Sequence, residues 1–147
     1  MIEIDVEQVE QAAAAWYLYW KAKTAANSPI KTGRDLYPSV KPGECFGLRV
    51  RGCSMSPEIN NGDIVIVLKQ DHCASGDIAI VCVSGNEITV KQVELQDGGI
   101  VLVPKNAAFE QVYLSNEQIQ QLQVTIIGKV VEIRGVCGTV RFPGYQA

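Results

Sequence analysis

The sequence predicts a mostly β protein, a compact and strongly bent β domain with an N-terminal helix, and three observations predict it. From Cys45 onward, short runs rich in valine, isoleucine and threonine are punctuated by clusters of Gly, Asn and Asp, the pattern of strands joined by tight turns. Before that point, from Asp5 to Ala26, strong helix formers dominate, and Val6, Val9, Ala13, Trp16 and Trp20 recur at three- and four-residue steps, an apolar stripe at helical spacing. Between the two, Asn27 to Glu44 holds three prolines and two glycines and reads as extended connecting chain. The chain therefore divides into a helix and linker arm, residues 1–44, and a β domain, residues 45–147.

Composition bounds the function classes. At 147 residues the chain has the size of one ordinary domain, able to bury a core without disulfides or metal. It is 47% hydrophobic and 20% charged, a globular balance. The net charge is -3 and the 13 Lys and Arg residues are scattered without a basic run, so no direct nucleic-acid binding by this chain is expected. The first ten residues are acidic and the apolar run AAAAWYLYW is only nine residues long, too acidic a start for a signal peptide and too short for a membrane span. The protein reads as cytoplasmic, with no membrane partner. Five cysteines without a CxxC pair, beside the single histidine His72, argue for buried or incidental thiols and against a metal site or cofactor.

The predicted strands run in order from Gly47 to Arg51, Ile64 to Lys69, Asp77 to Val83, Glu87 to Leu95, Ile100 to Val103, Val124 to Arg134 and Thr139 to Phe142. Turn signals separate several of them: Asn60-Asn61-Gly62-Asp63, Ser75-Gly76-Asp77, Ser84-Gly85-Asn86 and Asp97-Gly98-Gly99. The glutamine-rich piece Ser115 to Gln123 meets a Ser-x-x-Glu capping pattern only imperfectly and is expected to be a turn or loop before the long strand.

The chemical question centres on RGCSMSPEINNGD, Arg51 to Asp63, where two serines, a cysteine and a methionine lie between a glycine and a proline. A serine hydroxyl is a poor nucleophile unless a base stands within hydrogen-bond reach and donors await the oxyanion. Bases are scarce. His72 sits in the polar loop KQDHCASGD and reads as a solvated histidine, and the SxxK match Ser28 to Lys31 falls in the linker and reads as chance. Lysine can act as a base only when burial keeps it neutral. Lys91 interrupts the apolar strand of GNEITVKQVEL, and alternation puts Thr89, Lys91 and Val93 on one face and Ile88, Val90 and Gln92 on the other. From this stretch alone, a lysine whose ammonium reaches out from a sheet edge is the simpler reading. Spacing by itself does not decide.

Val50-Arg51-Gly52-Cys53-Ser54-Met55-Ser56-Pro57, Ile59 and Gly62-Asp63 resemble the Gly-x-Ser-Met-x-Pro and Gly-Asp signature of the LexA-like Ser-Lys peptidases, the family of LexA, phage repressor C-terminal domains and UmuD. Four more pieces follow in the same order: Gly76-Asp77-Ile78-Ala79, Thr89-Val90-Lys91, Leu102-Val103-Pro104-Lys105-Asn106 and Ile127-Gly128-Lys129-Val130-Val131. Five collinear matches span some ninety residues, about Gly47 to Arg134. The resemblance implies a bent LexA/signal-peptidase-like β domain that dimerises, with Ser54 as nucleophile, Lys91 as general base, and the main-chain N–H groups of Ser54 and Cys53 as oxyanion donors. It implies that Ser56 and Cys53 side chains are bystanders, that Met55 packs, that Thr89 hydrogen-bonds near the amine, and that RecA filaments stimulate self-cleavage.

The family's usual cleavage bond, a small residue followed by glycine roughly thirty-five residues before the serine, has no counterpart around Tyr17 to Trp20; Thr32-Gly33 is the upstream X-Gly bond in a plausible position. Three accounts remain open: the C-terminal peptidase and dimerisation domain of a repressor whose DNA-binding domain lies elsewhere, a UmuD-like translesion polymerase accessory protein, or a non-cleaving dimerisation or partner-binding module of the same fold.

Overall fold

The computed structural model describes residues 2–3, 44–85, 87–136 and 138–143. The predicted N-terminal helix, nearly all of the linker, the Ser28–Lys31 match and the Thr32-Gly33 bond lie outside the described residues. The remainder is a curled antiparallel sheet of β1 (Ile2–Glu3), β2 (Cys45–Val50), β3 (Ile64–Lys69), β4 (Ile78–Val83), β5 (Glu87–Gln96), β6 (Gly99–Val103), β7 (Val112–Ser115), β8 (Thr125–Arg134) and β9 (Val140–Arg141), with one short helix, α1 (Asn116–Gln121), before β8. The strand order is β1-β2-β3-β8-β4-β5-β6-β7, with β9 on β8. The mostly β expectation holds, and each predicted strand is present with its ends moved by no more than two residues.

β8 is the spine of the sheet. Its residues from Gly128 to Arg134 pair with β3, those from Thr125 to Lys129 pair with β4, and Ile133 and Arg134 pair with β9. The register shifts between Ile66 and Val67 on one side and between Ile80 and Val81 on the other, irregularities of the kind that bend and twist a sheet. Gly128 lies where β8 is paired on both sides; a Cβ there would run into the Val67 side chain and the Leu68 carbonyl, which explains a glycine in an otherwise apolar strand.

The bend lets the sheet bury both faces, so β4 carries the continuous apolar run IAIVCV rather than an alternation. Ile78 and Ile80 enter one cluster with Leu48, Val50, Val65, Val67, Val90 and Ile133. Ala79 and Val81 enter a second with Val93, Leu102, Leu114 and Val124. Met55 and Ile59, from the loop joining β2 to β3, are fully buried members of the first cluster.

Three described elements depart from expectation. Ser115 to Gln123 is not a loop: α1 starts there, with Ser115 Oγ accepting from the Gln118 N–H and Gln118 Oε1 accepting from the Ser115 N–H. Glutamine completes the capping box as well as glutamate does, and Ile119 packs on the second cluster. β7 was not foreseen because its four residues alternate weakly, with Val112 and Tyr113 both half exposed at the sheet edge; β1, a two-residue pairing of Ile2 and Glu3 with Val50 and Arg49, is too short to leave a pattern.

Candidate active site

Residues 51–63 leave the sheet between β2 and β3 and return to it at a point pinned by the backbone. The Gly62 N–H donates to the Val50 carbonyl, and the Val50 N–H donates to the Asp63 carbonyl. Asp63 is buried, and its carboxylate accepts from the Asn60 N–H at 2.8 Å while its own N–H donates to the Asn60 carbonyl. The Gly-Asp pair thus closes the loop. Inside it, Gly52 has φ +100°, a left-handed conformation that glycine adopts without strain. The Ile59 N–H donates to the Met55 carbonyl, a single helical turn whose two apolar side chains anchor it in the first cluster.

That anchorage presents Ser54. Lys91 reaches it from β5: the Lys91 Nζ donates to Ser54 Oγ at 2.9 Å, to Thr89 Oγ1 at 2.9 Å and to the Val90 carbonyl at 3.2 Å. Strand register explains the approach, since Lys91 pairs with Ala79 and Thr89 with Val81, so both project from the face that carries the second cluster, and Thr89 braces the amine from two residues away on the same face. Burial pushes the Lys91 ammonium below the ordinary lysine range, because desolvation disfavours the charged form. Its three partners are two hydroxyls and a carbonyl, none of them charged. The solvent-reaching reading of Lys91 is therefore set aside by geometry.

The loop after β6 completes the surroundings. The Lys105 and Asn106 N–H groups both donate to the Ser54 carbonyl at 3.1 Å. The Asn106 side-chain amide donates to the Cys53 carbonyl at 3.0 Å. Sequence reasoning matched Leu102 to Asn106 as a motif but gave it no task; its contacts with residues 53 and 54 are made across some fifty positions, and only the fold brings them together. The Ser54 and Cys53 N–H groups, expected as oxyanion donors, have no acceptor among the described residues.

The other candidates sit apart from this constellation. His72 is exposed and pairs with Asp71, which is more exposed still, at 3.0 Å. The four described cysteines are free: Cys45 and Cys82 are buried, Cys73 partly so, and Cys53 is exposed. Burial first, then the Glu44 and Glu132 charges, pushes the Cys45 thiol up to about 12, so it is an inert core thiol. Among the described residues no group of three or more His, Cys, Asp or Glu could hold a metal ion, and no helix is long and apolar enough to cross a membrane. An apolar cavity of about 450 Å³, lined by Val93, Leu95, Ile100, Ile119 and Ile126 among others, does not include Ser54 or Lys91.

The arrangement is a hydroxyl held against a partly desolvated amine, in a loop where the backbone of Ser54 is itself fixed, a combination of the kind that acyl transfer uses. Comparison with known proteins agrees. The family described as Peptidase S24-like matches residues 8–131. The LexA repressor of Petrotoga mobilis is 32% identical over 104 residues, 69% of this chain and 48% of the repressor. That of Streptomyces coelicolor is 36% identical over 128 residues, 82% of this chain and 51% of the repressor, and that of Pelotomaculum thermopropionicum is 35% identical over 117 residues, 74% and 54%. The chain thus spans about half the length of the curated relatives it matches. With a family match over most of its length and the Ser-Lys pair in contact, this chain belongs to the S24-like, LexA-like family of Ser-Lys peptidases.

Proposed function

We propose that residues 45–147 are the peptidase and dimerisation domain of a LexA- or phage-repressor-like transcriptional regulator, and that the domain cuts a peptide bond of its own chain. The observation that carries the reading is the 2.9 Å contact between Lys91 Nζ and Ser54 Oγ, made by an amine that burial drives toward neutrality. Neutral Lys91 takes the Ser54 hydroxyl proton as Oγ adds to the scissile carbonyl carbon. The N–H groups of Ser54 and Cys53 hold the oxyanion. Collapse breaks the C–N bond and the Lys91 ammonium returns its proton to the leaving amine. Water, deprotonated by the same amine, then hydrolyses the Ser54 ester and frees the hydroxyl. Neither metal nor cofactor has a part in these steps. The domain pairs with a second copy of itself, and RecA filaments favour the cleaving arrangement. The repressor reading is preferred to a polymerase accessory role because the matched relatives are LexA repressors.

The test is incubation of the purified chain from pH 7 to 10, with and without RecA filaments, followed by intact-mass measurement. A fragment released faster as pH rises, and released by neither Ser54→Ala nor Lys91→Ala, is the expected result, and its mass identifies the bond. A wild-type chain that keeps its full mass over many hours at every pH would leave a dimerisation or partner-binding module.

A further inference from the structure

The peptide that joins Cys53 to Ser54 has two ends with different tasks. Its N–H, on Ser54, is unengaged among the described residues, whereas its C=O, on Cys53, accepts from two donors: the Ser56 N–H at 3.1 Å, within the turn itself, and the Asn106 side-chain amide at 3.0 Å, from a loop some fifty residues away. In a planar trans peptide the C=O and N–H point in opposite directions. Whatever holds the carbonyl therefore aims the N–H. Asn106 is itself fixed: its side-chain oxygen accepts from the Ala108 N–H at 3.0 Å, and its carbonyl accepts from the Phe109 N–H at 3.1 Å. The next peptide, Ser54 to Met55, is held differently, since the Ser54 carbonyl takes two main-chain N–H groups, from Lys105 and Asn106, which any residue at these positions except proline would supply. The side chain of Asn106 is thus specific to one peptide plane, the one whose N–H belongs to the nucleophile.

We propose that Asn106 is a positioning residue for the oxyanion hole: its amide pins the Cys53 carbonyl and so turns the Ser54 N–H toward the position the oxyanion takes. The proposal rests on the Ser-Lys peptidase reading for its purpose, but its physical content is the orientation of one peptide, which can be measured apart from cleavage. It also separates two roles within the site. Lys91 sets when the hydroxyl is deprotonated, and Asn106 sets how well the resulting charge is received.

The experiment compares the full wild-type chain with Asn106→Asp, which keeps the shape but replaces the donor by a carboxylate oxygen, and with Asn106→Ala, which stands in if the charged variant lowers Tm. Amide proton and nitrogen shifts and hydrogen-exchange rates are read at Cys53, Ser54 and Met55. The expected result is a change at Ser54 larger than that at Met55, with Tm within a few degrees of wild type. Where the wild type cleaves itself, the plateau rate falls roughly 10- to 100-fold, less than the roughly 100- to 1,000-fold cost of deleting an oxyanion donor outright, while the midpoint of the pH profile, which belongs to Lys91, stays in place. Unchanged Ser54 amide signals in a folded variant, or a rate loss that comes wholly from a moved midpoint, would overturn the proposal. A wild type that never cleaves would sink the peptidase reading instead, and the Ser54 amide comparison would still decide the role of Asn106.

Discussion

Glu132 on β8 and Lys91 on β5 are ionisable side chains taken at least partly out of water in this sheet, and their surroundings are opposite. Glu132 on β8 has no exposed surface and is matched by a counter-charge, its Oε2 accepting from Arg134 Nε at 2.9 Å, although its Oε1 has no partner among the described residues. Burial pushes its carboxyl up, and Arg134 only partly offsets this. Lys91 on β5 is less deeply buried, yet its partners are neutral oxygens, and burial lowers its pKa with no opposing charge. A buried charge with a counter-ion serves the fold, and removing its partner is costly. A half-buried amine with only hydroxyls and a carbonyl as partners loses its proton more readily than an exposed one, which is a state suited to chemistry rather than to stability.

The comparison can be broken most severely at the dyad. Ser54→Ala and Lys91→Ala are each expected to lower self-cleavage by about 10⁴-fold or more, and Lys91→Arg to do the same, because a permanent cation cannot take the proton; intact-mass time courses measure all three. Glu132→Ala should leave the pH profile of cleavage alone but cost about 3 kcal/mol of stability, read from urea unfolding. Thr89→Val removes one acceptor of the Lys91 N–H groups. The charged amine loses more from this than the neutral one, so the pH midpoint should move down, with a rate change of roughly three- to tenfold. The smallest effect is on stability and sharpens the sign. Folding lowers the Lys91 pKa, so between the folded and unfolded values the unfolded chain binds more protons and stability rises with pH. Lys91→Met is therefore expected to raise Tm at pH 7 by about 2–4 °C, with the gain shrinking as pH approaches the ordinary lysine range.

The pairing of Ser54 with Lys91 was expected from the family resemblance, and the structure puts the two side chains in contact; the loop that carries Ser54 leaves local marks of its own. Gly52, Ser54, Met55 and Gly62-Asp63 are constrained by local geometry: a left-handed φ, an anchoring side chain and a closing turn leave marks within a dozen residues. Lys91 and Thr89 were legible as a pair because strand alternation alone puts them on one face. What alternation could not give was the depth of burial around the amine, which depends on how the sheet bends. Asn106 was invisible as a functional side chain because its partner lies 53 positions away. β7 and α1 were misread for the contrary reason, their sequences being short and their surfaces largely exposed, so neither periodicity nor burial left a strong mark. The arm before Glu44, with its tryptophan stripe, falls outside the described residues.

The account turns on the protonation of one side chain. Its most direct test is a carbon NMR titration of the Lys91 Cε and neighbouring lysine carbons in the full chain, using Ser54→Ala to prevent cleavage and Lys91→Arg to assign the signal. The account predicts that Lys91 titrates well below the exposed lysines, leaving a substantial neutral fraction at mildly alkaline pH. A Lys91 midpoint at or above theirs would mean an ordinary ammonium bonded to a serine, and would contradict the assignment of Lys91 as the base.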